Sequence, residues 1–154
     1  MIIKSILIGL GALLAVLLLA FIVLAMKSQH QPDSIGLVNG KLRPCPDSPN
    51  CVCSETDESP DALKVIAPVL ADAQTWQLLS TVIEANGGII QQNHKDNYLH
   101  ATFSSPIFHF VDDVEFRLDS DSRLIHMRSA SRVGHSDFGL NRKRLDRLVQ
   151  ALTK

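Results

Sequence analysis

Apolar and polar positions divide the chain into two unlike parts. Residues 6–26 run for 21 positions without a charge, and Ile2 and Ile3 extend the apolar stretch beyond Lys4. At 1.5 Å per residue the uncharged stretch makes a helix of roughly 30 Å, the hydrocarbon thickness of a bilayer. Residues 1–27 are therefore expected to form a transmembrane anchor, with 5–26 as the membrane partner. The rival is a cleaved signal peptide, since Lys4 supplies a short positive start and Val23-Leu24-Ala25 resembles a cleavage site. Its apolar core is longer than such signals carry. No cysteine follows the run closely enough to accept a lipid. Gln29, Gln31, Pro32, Asp33 and Ser34 then mark residues 28–43 as a polar tether to a domain at 44–154.

Within that domain the period changes. Asp72 suits a helix cap, Trp76, Leu79 and Ile83 follow at helical spacing, and Asn86-Gly87-Gly88 ends the helix. Pro60 and Pro68 keep 61–70 extended or irregular. Strand character follows over 88–94, 98–104, 110–118 and 123–131, with turns at Lys95-Asp96-Asn97 and Asp119-Ser120-Asp121-Ser122. Leu145, Leu148, Val149 and Leu152, spaced i, i+3, i+4, i+7, predict a second amphipathic helix. The expected fold is α+β: an N-terminal transmembrane helix, then a two-layer domain in which a four-stranded antiparallel sheet is covered on one face by two amphipathic helices.

Alternation assigns the faces. Val114, Phe116, Leu118, Ile125 and Met127 point to the helices, while Asp113, Glu115, Arg117, His126 and Arg128 point away, joined by His100 and Thr102. With a loop of the four turn residues alone, Asp113 faces Arg128 and Glu115 faces His126. This polar face reads either as a solvated, salt-bridged surface or as the floor of a shallow site.

Charge sharpens the picture. Residues 55–121 carry 12 acids against 3 bases, and residues 123–154 carry 8 bases against 2 acids, so a net charge of -1 hides a dipolar chain. Composition argues against disorder, against a multi-span membrane protein and against a uniformly basic nucleic-acid binder. No nucleic-acid partner and no cofactor is expected.

Cys45-Pro46-Asp47-Ser48-Pro49-Asn50-Cys51-Val52-Cys53 is the densest local signal. Its prolines and Asp-Ser pair predict a tight turn bringing Cys45 and Cys51 within bridging distance. A disulfide there closes a short ring worth about 2 kcal/mol and persists only in an oxidising compartment. That favours a cytoplasmic N-terminus and an extracytoplasmic domain, periplasmic in a bacterium, which counting Lys4 against Lys27, Lys41 and Arg43 does not decide. Two alternatives stay open. Three thiolates with His30 or a distant histidine would suit zinc, although C-x2-C spacing is absent, and three free thiols is the other. No metal site is expected, and Cys53 has no assigned partner.

The segment 128–144 is harder to explain by packing. It holds Arg128, Arg132, His135, Arg142, Lys143 and Arg144 beside Ser129, Ser131 and Ser136, with Asp137 as a cap before a helix. Cations so near a helix start are mildly unfavourable, so something negative should compensate. Internally, Asp112 falls on the inner face, where a lone carboxylate is costly; a pair with Arg142 or Arg144, completed by Asn141 and Ser129, is one reading. An anion site of Arg128, Ser129, Ser131, Arg132, Ser136, Asp137, Asn141 and Arg142, supported by Asp112, Asp113 and Glu115, is the other. Near a membrane its ligand would be an anionic small molecule, a lipid headgroup or a cell-wall polymer. If the ligand reading holds, Arg132→Ala with Arg142→Ala abolishes binding and leaves the domain folded; if the ion-pair reading holds, the domain loses stability. Catalysis has weak support. His100, His109, His126 and His135 with Ser129, Ser131 or Ser136 offer a hydrolase-type pair, but no nucleophile elbow, His-Glu-x-x-His, P-loop or dinucleotide fingerprint is present.

Three separated motifs together resemble the domain of unknown function 1499 family: 44–52, then Asp112-Asp113-Val114-Glu115-Phe116, then 128–142 with Arg128-Ser129-Ala130-Ser131-Arg132 and Asn141-Arg142. The resemblance covers about residues 40–152. Cys53 departs from it, since a serine is expected there. It implies an uncharacterised domain often carried behind a signal or membrane segment, and no reaction. The expected role is a membrane-anchored domain that binds an anionic ligand or envelope partner through 128–144, with a purely structural envelope protein and a Ser/His hydrolase as alternatives.

Overall fold

The computed structural model describes residues 2–55, 65–95 and 97–153. Residues 61–64 of the expected irregular segment and Asp96 of the expected turn lie outside the described residues. Helix α1 spans Ile2–Ser28 and buries only Ser28. It is long and apolar enough to cross a membrane.

Helix α2 (Ala73–Ala85) begins where the Asp72 carboxylate accepts the Thr75 N–H at 2.8 Å. It buries Trp76, Leu79 and Ile83, and ends where Gly88 N–H returns to Ile83 O with Gly87 at φ +86. Helix α3 (Leu140–Leu152) buries Leu145 and Leu148. Both helices lie on one face of the sheet, over a core that includes Leu99, Val114, Phe116, Ile125 and Met127.

The sheet has six strands rather than four. Besides β5 (Ile89–Lys95), β6 (Tyr98–Ser104), β7 (Val111–Asp119) and β8 (Leu124–Ser131), two short strands pair antiparallel with β8 on its outer edge. These are β3 (Cys51–Cys53) and β4 (Val69–Leu70). Strands this short carry no readable alternation, and only β8's unpaired edge recruits them.

The register of β7 and β8 also differs from expectation. The turn takes in Arg123, held at φ +56, so β8 begins at Leu124 and Asp119 pairs with Leu124. A two-residue shift keeps every side chain on its expected face but changes its partner. Glu115 now faces Arg128, Asp113 faces Ala130, and Phe116 faces Met127.

Residues 28–43 do not run free as a tether. They carry a separate hairpin, β1 (Leu37–Val38) and β2 (Lys41–Leu42), turned by Asn39 at φ +53 and Gly40 at φ +76. That hairpin covers the second sheet face, where Leu42 packs with Cys53, Tyr98 and Leu37. Much of the polar face is therefore not solvated: Tyr98, His100, Asp113, Glu115 and Arg128 are all buried, and Asp113 and Arg128 also line a cavity.

Candidate functional site

Burying so many charges requires each to have a partner. Arg128 Nη1 donates to Glu115 Oε2 at 2.6 Å, and the other Glu115 oxygen accepts Tyr98 Oη–H at 2.6 Å and Gly36 N–H at 2.8 Å. Burial and then the Glu115 carboxylate push the Tyr98 phenol up, so it stays a protonated donor. Glu55 accepts a fork from Arg117 and the Leu42 N–H, tying β2 to β7. Burial likewise raises the Cys53 thiol, which stays an inert hydrophobe.

Asp113 is the hub of the end nearest α1. Arg132 grips it with Nε to Oδ2 at 2.8 Å and Nη2 to Oδ1 at 2.7 Å, and His100 Nε2 lies 2.8 Å from Oδ1. An ionised carboxylate only accepts, so His100 Nε2 carries the proton. Burial would raise the Asp113 carboxyl, but the hydrogen bonds from Arg132 and His100 outweigh it and hold the group below its ordinary value. The remaining Arg132 nitrogen, Nη1, donates to the carbonyls of Ser28 and Gln29, both at 3.1 Å. Arg132 therefore caps the C-terminal end of α1, where a cation is favoured, and clamps that helix to the domain. Gln29 Nε2 to His109 O at 2.8 Å adds a second tie.

The residues expected to form one anion site thus separate into distinct groups. Arg132 is engaged internally, on Asp113 and on the end of α1. Ser129 and Asn141 form a buried cluster in which Ser129 Oγ donates to Asn141 Oδ1, and Arg144 donates to both and to Asp112. The expected Asp112 pair is made by Arg144, which also lies 4.9 Å over the Phe103 ring. Arg142 points elsewhere, donating to Val65 O. Ser136 accepts the Phe138 N–H. Asp137 accepts the Gly139 and Asn141 N–H groups at 3.0 and 2.7 Å, so the start of α3 already holds a carboxylate. A helix N-terminus filled by its own aspartate offers little to an outside anion.

Arg128 is different. It is 3% exposed, and among the described residues its one side-chain hydrogen bond goes to Glu115 and its Nε is buried without a partner. It lines a cavity of about 380 Å³ between the end of α1 and β8, with Lys27, Asn50, Ser131 and Arg132. Lys27, Arg128 and Arg132 set against Asp113 and Glu115 give three cations and two carboxylates, a balance of one positive charge. Ser131 also faces a second, apolar cleft of about 300 Å³.

Sequence reasoning missed Lys27, which read only as an end of the span, and Asn50. Asn50 donates to Gly134 O at 2.7 Å, and its carbonyl accepts from Ser131 N and Asn141 Nδ2, joining the cysteine loop to 131–134. Its place inside the densest local motif was the available signal.

The cysteine loop closes as one of the sequence readings had it: Cys45 and Cys51 are bonded, with Cα atoms 5.6 Å apart, and Cys53 is free and buried. Among the described residues no cluster of three or more His, Cys, Asp or Glu could hold a metal. The closest Ser–His approach recorded among them is Ser54 Oγ to His126 Nδ1 at 3.4 Å, and the Glu55 carboxylate approaches the same nitrogen at 4.0 Å. A relay needs the orienting acid on the opposite ring nitrogen. Ser129, Ser131 and Ser136 bond instead to Asn141, Arg144 and backbone.

No curated protein and no solved structure matches the chain. The family described as protein of unknown function (DUF1499) matches residues 41–152, from β2 through the end of α3, which takes in the cysteine loop, the Asp112–Glu115 strand and the arginine segment. With most of its length so matched, the chain belongs to that family.

Proposed function

We propose that this is a single-pass membrane protein with its N-terminus cytoplasmic and its domain extracytoplasmic, and that the domain binds an anionic ligand, the phosphate of a lipid headgroup, in the cavity beside α1. The observation that carries this reading is Arg128, a buried guanidinium that lines a cavity of net positive charge and whose Nε has no partner among the described residues. A guanidinium with free donors takes phosphate in paired, charge-assisted hydrogen bonds. Lys27, exposed on the last turn of α1, supplies a second cation at the height expected of headgroups. The disulfide supports the oxidising side of the membrane.

The test is native mass spectrometry of the full chain in detergent with phosphatidylglycerol or phosphatidylcholine. Preferential retention of the anionic lipid is expected, and Lys27→Ala should cut that preference about five-fold, roughly 1 kcal/mol for one surface cation. Arg128→Lys, which keeps a charge beside Glu115, should lose more because it loses the fork. Equal retention of the two lipids refutes the reading. A purely structural role is the second reading, favoured by the internal pairing of Arg132 with Asp113 and of Arg144 with Asp112.

A further inference from the structure

The end of the sheet nearest α1 groups apolar side chains on its surface. Ile107 is 78% exposed and Phe138 88%, in the connections leaving β6 and β8, and Leu140, the first residue of α3, is 55% exposed. Ile89, at the same end because it pairs with Thr102 late in β6, is 62% exposed. Phe138 also holds left-handed backbone, φ +54, which a bulky side chain rarely adopts. The apolar cleft beside it is lined by Phe21 and Leu24 of α1 together with Phe110, Phe138 and Leu140. Soluble surfaces seldom gather large apolar residues this way unless something covers them.

The identity of the cover follows from α1. Phe21 stacks on Phe108 with ring centroids 5.3 Å apart and meets Phe110 at 6.2 Å. Phe21 lies six residues before Lys27, the first charge after the apolar run, which is roughly 9 Å along the helix axis. With Lys27 at the membrane surface, the 105–110 loop therefore sits below that surface, within the 5–10 Å or so that interfacial segments reach. The Arg132 clamp on Ser28 and Gln29 holds the domain at this depth.

We infer that the loops 105–110 and 133–140 insert into the outer layer of the same bilayer that α1 crosses, with Ile107 and Phe138 as apolar wedges among the acyl chains. The inference rests on α1 spanning a membrane, and not on the phosphate site. It makes the domain a membrane-surface device of fixed orientation, with the apolar cleft opening onto lipid tails.

Full-length chains carrying Phe138→Trp or Ile107→Trp are reconstituted in vesicles of phosphatidylcholine brominated on its acyl chains, with the emission of the parent chain, which comes from Trp76, subtracted. Leu14→Trp reports the span. Leu70→Trp, exposed on β4 beside Leu124, reports the opposite end of β8 from Ser131. Quenching of Phe138→Trp and Ile107→Trp by about two-fold or more, with Leu70→Trp unaffected, is expected for side chains at this depth. If Leu14→Trp is quenched while Phe138→Trp and Ile107→Trp behave like Leu70→Trp, the wedge is refuted and the span stands. If Leu14→Trp is not quenched either, the span fails and the wedge with it.

Discussion

Replacing Arg132 by leucine removes the fork onto Asp113 and the cation on the end of α1 together. The Asp113 side chain is 2% exposed and that of Arg132 8%, so solvent does little to screen the loss. Breaking a buried pair by removing one partner costs about 3–5 kcal/mol, because the remaining charge is left uncompensated. His100 still contacts Asp113, which places the expected cost near the lower end, about 3 kcal/mol. For a domain of this size that is a fall in Tm on the order of 10 °C. Trp76, the single tryptophan and buried in the core, reports domain unfolding without interference from α1. The full chain is heated in detergent and its fluorescence followed. Asp113→Asn in the Arg132→Leu background should recover part of the loss, since the stranded charge is gone, giving a coupling of about 1–3 kcal/mol in the double-mutant cycle. A Tm change under about 2 °C for Arg132→Leu, or strictly additive effects, would show that Arg132 is no clamp and return it to the pool of ligand-binding candidates.

Three other outcomes are expected. Thiol labelling should find no reactive cysteine in the native protein and one, Cys53, after unfolding without reductant; reducing Cys45–Cys51 should cost about 2 kcal/mol by denaturant titration, and three labelled thiols without reductant would refute the bond. A Cβ at Gly88 would lie 2.5 Å from Ile83 Cγ2 and 2.7 Å from the Phe103 ring, so Gly88→Ala should destabilise by about 1–3 kcal/mol in the same titration. Unfolding free energy should fall as pH is lowered, in two windows. His126 is held below its ordinary 6.5 by burial, so its contribution is present above that value and fades as pH drops through it. Asp113 is held below its ordinary 3.8, so its contribution is lost only below that. In both cases the unfolded chain binds more protons, which makes stability rise with pH. His126→Gln should flatten the upper window alone, and a profile unchanged by it would refute that assignment.

Much of the architecture was legible because its signals are local. The Asp72 cap and the Trp76, Leu79, Ile83 spacing specify α2 within one stretch of chain, and alternation placed Asp113 and Glu115 opposite Val114 and Phe116. The β1–β2 hairpin was legible too and was overlooked: Asn39-Gly40 is a strong short-range hairpin signal, here hidden inside a stretch read as a tether. Strands β3 and β4 were not legible, since two or three residues show no period and their only warrant is the distant edge of β8.

By itself, then, the sequence determined the membrane-length helix, the tight turn of the cysteine loop, the two amphipathic helices and the faces of the long strands, all set by period, caps and turn residues within a few positions. Only the tertiary structure decided which charge meets which. The left-handed Arg123 shifts the β7–β8 register by two residues, handing Glu115 to Arg128 and leaving Asp113 for Arg132. Such pairings depend on distances between residues far apart in the chain. For that reason a run of arginines that resembles a binding segment on paper folds largely onto its own carboxylates, Arg128 on Glu115, Arg132 on Asp113 and Arg144 on Asp112.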